Sequence, residues 1–89
     1  MNIFAIFKVS SPLQVENAVN AAFPDDHMRL QDDEWLVASS ASAQDVSDRL
    51  GITSGENGSA IVFRMGSYYG RASTNIWDWI KTKSEESRD

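Results

Sequence analysis

Apolar positions along this chain switch between a strand period and a helical one, and each switch marks an element. Ile3 to Val9 is branched and aromatic on both alternations and is bounded by Ser10-Ser11-Pro12, which predicts a strand buried on both faces and central in its sheet. The period then becomes helical. Val15, Ala18, Val19, Ala22 and Phe23 recur at i, i+3, i+4, i+7 and i+8, a single apolar stripe. Ser11 is the expected N-cap, with Pro12 at the first helical position and Gln14 closing a capping box. Pro24 ends the helix.

Two short runs follow, His27 to Gln31 and Glu34 to Ser39, joined at Asp32-Asp33 as a hairpin. A two-residue loop pairs Gln31 with Glu34, Leu30 with Trp35, Arg29 with Leu36 and Met28 with Val37. Opposed residues share a face. Met28, Leu30, Trp35 and Val37 are therefore expected on one side, and Arg29, Leu36 and Ala38 on the other. Ser42 and Asp45 form a second capping pattern, Val46 and Leu50 lie one turn apart, and Gly51-Ile52 resembles a glycine C-cap. After a Gly-rich loop, Ala60 to Met65 reads as a strand with Ile61, Phe63 and Met65 facing one way and Ala60, Val62 and Arg64 the other. Ser73 or Thr74 caps a last helix that runs through Lys83, and residues 84–89 are expected to fray.

The order β-α-β-β-α-β with an additional C-terminal helix predicts an α+β domain of the ferredoxin-like split βαβ type. It would form a single domain over residues 1–83, with a four-stranded antiparallel sheet and the first and third strands in the centre. A two-layer arrangement leaves one sheet face bare. Leu36, Ala38, Val62 and alternate residues of the first strand, either Phe4 and Ile6 or Ile3, Ala5 and Phe7, would make that face apolar. Two covers suggest themselves. One is the last helix, where Ile76, Trp77, Trp79 and Ile80 share an arc, and the other is a second copy of the chain. Phe4, Ile6, Leu36, Val62, Trp77 and Trp79 are accordingly the candidate association residues.

Composition narrows the functional classes. With 42% hydrophobic and 24% charged residues the chain is ordinary for a globular domain, not a disordered one. Zero cysteines remove disulfides, thiolate metal sites and cysteine nucleophiles, and are compatible with a reducing compartment. The apolar start has no positive n-region and is interrupted by Lys8, so it does not read as a signal peptide. No run approaches the ~20 apolar residues of a membrane span, and the expected location is cytoplasmic.

The net charge of -5 argues against nucleic acid as a partner, since phosphate backbones select clustered Lys and Arg. That acidity is uneven. Residues 1–58 hold nine acids against three bases, while residues 59–89 hold four acids against five bases.

The most chemistry-rich stretch joins the last strand to the last helix. Tyr68, Tyr69, Gly70, Arg71 and Thr74 combine phenols, a guanidinium and a hydroxyl before a helix N-terminus, a setting that suits an anionic metabolite or a phosphate ester. Asp25-Asp26-His27 is a weak oxygen-ligand motif and reads better as a solvated turn. With His27 the lone histidine and no nucleophile-elbow sequence, a hydrolytic triad has no support. The RNA-binding pattern of Lys/Arg, Gly and aromatics on the sheet is also absent. No cofactor is implied. The sequence therefore predicts a small non-enzymatic protein that acts through homodimer formation or another protein partner, with a small-ligand or enzyme site around Tyr68, Tyr69 and Arg71 as the alternative.

Overall fold

The structure, a computed structural model, describes residues 1–9, 12–31, 33–66 and 69–85, with the side chains of Pro12 and Leu13 left aside. Its elements are β1 (Asn2–Lys8), α1 (Pro12–Ala22), β2 (His27–Gln31), β3 (Glu34–Ser39), α2 (Ala43–Arg49), β4 (Ala60–Arg64) and α3 (Thr74–Glu85). This is an α+β fold whose four strands form one antiparallel sheet in the order β2-β3-β1-β4. The doubly apolar β1 is central, between β3 and β4. Pro12 begins α1 as its fixed φ suits. The Ser11 cap and the Asp32 turn position lie outside the described residues. α3 extends to Glu85, past the Lys83 expected, and the remaining tail residues, 86–89, are not described.

The β1 register settles which alternation faces the core. Phe4 lies opposite Val37, and Ile6 lies opposite both Trp35 and Val62. These residues meet the α1 stripe of Val15, Val19 and Phe23 and the Val46 and Leu50 side chains of α2 in one buried cluster. Phe4, Ile6, Val15, Val19, Val37, Val46 and Leu50 are fully buried there. Phe4, Ile6 and Val62, expected on the open face, therefore belong to the face that α1 and α2 cover. The physical reason is strand parity. Ile3, Leu36 and Ala38 occupy the opposite side.

The hairpin also departs from the expected register. Gln31 does pair with Glu34, but Arg29 faces Trp35, Met28 faces Leu36 and His27 faces Val37, with an irregularity between Arg29 and Gln31. One extra residue in a strand reverses the facing of everything beyond it. Leu30 consequently packs on the second sheet face, not beside Trp35, and Arg29 lies 3.5 Å from Glu16 of α1.

On that second face, Ile80 of α3 closes over Ile3, Leu36 and Ala38, with Ile76, Trp77 and Trp79 packed around them. An ion pair of 2.8 Å between Lys83 and Asp26 ties the end of α3 to the loop before β2. The last helix thus covers part of the face anticipated to be open.

α2 is set by its caps. The Ser42 hydroxyl accepts from the Asp45 N–H, and the Asp45 carboxylate accepts in return from the Ser42 N–H. At the other end Gly51 adopts φ 71°, and a Cβ there would run into the carboxamide of Asn57, which donates to the Leu50 carbonyl at 2.8 Å. Gly51→Ala is therefore expected to cost about 1–2 kcal/mol from the left-handed conformation and the displaced side chain. That loss would lower the melting temperature by about 4–8 °C or more. A calorimetric scan of the variant checks this.

Candidate functional site

The segment leading into α3 offers little enclosure. Tyr69, Gly70, Arg71 and Thr74 are all exposed. Tyr68 lies outside the described residues. An anion held by these groups would remain in contact with water, where charge-assisted hydrogen bonds are screened and weak.

Several acidic groups are engaged within the fold. Asp26 pairs with Lys83, and Asp33 pairs with Lys8 at 2.7 Å. The Nδ1 of His27 lies 2.6 Å from the Phe23 carbonyl. A carbonyl can only accept, so Nδ1 carries the proton and His27 closes the C-terminal end of α1. Among the described residues, no group of three or more acidic or His side chains is placed to hold a metal ion.

A cleft of about 300 Å³ opens at that same end of α1, bordered by Ala22, Phe23, Asp25, Asp26, Ser39 and Arg49. Its arginine is already committed. The Arg49 guanidinium lies over the Phe23 ring, 4.5 Å from the centroid, and donates to the Ala22 carbonyl at 2.9 Å. This arrangement caps α1 from the last turn of α2, a structural task.

The outstanding surface lies at the β4 side of the sheet. Phe7 is 45% exposed, Ile61 and Phe63 are each 49% exposed, and Val9 is 65% exposed. Phe7 lies opposite Ile61 and Ala5 opposite Phe63, so these side chains stand on the face that α3 shares. The Phe7 and Phe63 rings meet edge to face, 5.6 Å between centroids and 66° between planes. α3 closes over Ile3, Leu36 and Ala38 and leaves this group uncovered.

Of the six association residues expected from sequence, Phe4, Ile6 and Val62 lie under α1 and α2. Leu36 lies under α3, and Trp77 and Trp79 are partly buried within it. On β4 the exposed apolar residues are instead the neighbours of Val62 on the opposite alternation. Their signal was the bulk of Ile61 and Phe63 beside the smaller Ala60 and Val62, which fit beneath the close-lying α2.

Searches against protein-family models, curated proteins and solved structures return no match to this chain. No helix among the described residues is long and apolar enough to cross a membrane.

Proposed function

We propose that this protein is a non-enzymatic cytoplasmic domain whose work is association, with a second copy of itself as the first partner, built on a ferredoxin-like split βαβ. The β2-β3-β1-β4 order, with β1 and β3 central and two helices against one face, supports that topology. The observation that carries the functional reading is the half-exposed cluster formed by Ile61 and Phe63 on the edge strand β4 and Phe7 on the adjacent β1. Large apolar side chains clustered this way mark an interaction site more often than a solvated surface. Aromatic residues are also enriched at interface centres.

The test is the mass of the protein in solution. Sedimentation at micromolar concentrations should give a dimer. Phe63→Asp should weaken association by tenfold or more while leaving the circular dichroism spectrum unchanged, because the side chain is half in water already. A wild-type chain that stays monomeric through hundreds of micromolar overturns the reading.

A further inference from the structure

The two edges of the sheet are built differently. β2 is polar at His27, Arg29 and Gln31 and is interrupted by the irregularity at Leu30, devices that stop another strand from adding. β4 has a regular register with β1 and no such interruption, and among the described residues no strand lies on its outer side.

The backbone hydrogen bonds show which groups that outer side presents. Val9 donates to the Ser59 carbonyl at 2.7 Å, and Met65 donates to the Ile3 carbonyl at 2.8 Å. In an antiparallel ladder hydrogen-bonded pairs alternate with non-hydrogen-bonded ones. Ile61 and Phe63 share the parity of Ser59 and Met65, so their N–H and C=O groups turn toward β1. Ala60, Val62 and Arg64 therefore direct theirs away from it.

We infer that β4 pairs with β4 of a second copy, antiparallel and centred on Val62, so that the two four-stranded sheets become one. This rests on the association reading above and specifies its geometry. Centring the two-fold axis on Val62 matches Val62 with its own symmetry mate and Ala60 with Arg64, so all three outward residues bond at once. Centring on Ile61 or Phe63 engages only two of them. In the Val62 register Ile61 stands opposite Phe63 of the partner as a non-hydrogen-bonded pair. That is the closest side-chain approach in a sheet, and aromatic and β-branched residues favour it. No like charges meet, because Arg64 faces Ala60.

At roughly 200 Å² for a fully exposed aromatic side chain, half-exposed Phe7 and Phe63 with Ile61 and Val9 present roughly 400 Å² of apolar surface. Edge pairing sets Ile61 and Phe63 of one copy against Phe63 and Ile61 of the other and, with Phe7 and Val9 one strand inward, joins the two patches into one apolar stripe across the combined sheet face. The interrupted β2 edge then ends the assembly at two chains, because the contact is isologous.

Two variants test the register. Val62→Pro removes an outward N–H and none of the bonds to β1, so it should give a folded monomer. The chain has no native cysteine, so Ile61→Cys and Phe63→Cys report pairing cleanly. Mixed together, the two should form a disulfide-linked dimer at least tenfold faster than either alone. A wild-type dimer that survives Val62→Pro, or in which Phe63→Cys links to itself as fast as to Ile61→Cys, overturns the β4 pairing and leaves association by another surface standing. A wild-type monomer overturns both.

Discussion

Trp35→Ala is expected to lower the unfolding free energy by about 3–5 kcal/mol, a large share of the about 5–15 kcal/mol that a domain of this size commands. Trp35 is fully buried, faces Ile6 across the β1–β3 ladder, and fills the space beneath α1 and α2. Truncation there leaves a cavity that the surrounding residues of β1 and β3 cannot collapse into without breaking their register. Urea titration measures the loss, and a change below about 1 kcal/mol would contradict the packing described. The buried indole N–H of Trp35 has no hydrogen-bond partner among the described residues. Trp35→Phe removes that unpaired donor while keeping most of the ring volume, so its cost should be less than half that of alanine.

The second large effect belongs to the other face. Leu36→Asp loses the packing of a buried leucine, about 2–5 kcal/mol, and places a carboxylate without a partner among Ile3, Ala38 and Ile80. The damage should reach α3 first, since the α1–α2 cluster lies across the sheet and contains none of these residues. Expected signs are proteolysis before Thr74 and a red shift in the emission of Trp77 and Trp79 while the sheet signal persists. The equivalent change at half-exposed Ile61, outside both buried clusters, should cost the folded monomer under about 1 kcal/mol and act mainly on association. Equal losses at Leu36 and Ile61 would show that α3 does not seal the face it lies on.

The elements themselves were largely legible, because a stripe such as Val15, Val19 and Phe23 or a cap such as Ser42 with Asp45 is written in one local stretch. Facing was not. β1 is apolar at every position from Ile3 to Phe7, so its alternation carries no phase, and only pairing with β3 and β4 assigns Phe4 and Ile6 to the core. In β2, Met28 and Leu30 alternate with His27 and Arg29 in a way that fits either register, and nothing local announces the extra residue. The association surface inherited the same ambiguity. Val62 and its neighbours Ile61 and Phe63 are all apolar, and the chain hides the smaller residue and exposes the larger ones.

Placing the first strand at the centre of the sheet has a kinetic consequence. Phe4 meets Val37 on one side and Arg64 on the other, so β1 is synthesised well before either partner strand exists. Each pairing closes a long loop, and the entropy of that closure must be met before any ladder bond forms. Folding should accordingly be slower than in a helical bundle of equal length, and it should complete only once β4 has left the ribosome. Until then the edge of β1 that β4 will cover stays open, and its apolar residues Ile3 to Phe7 are within reach of other nascent chains.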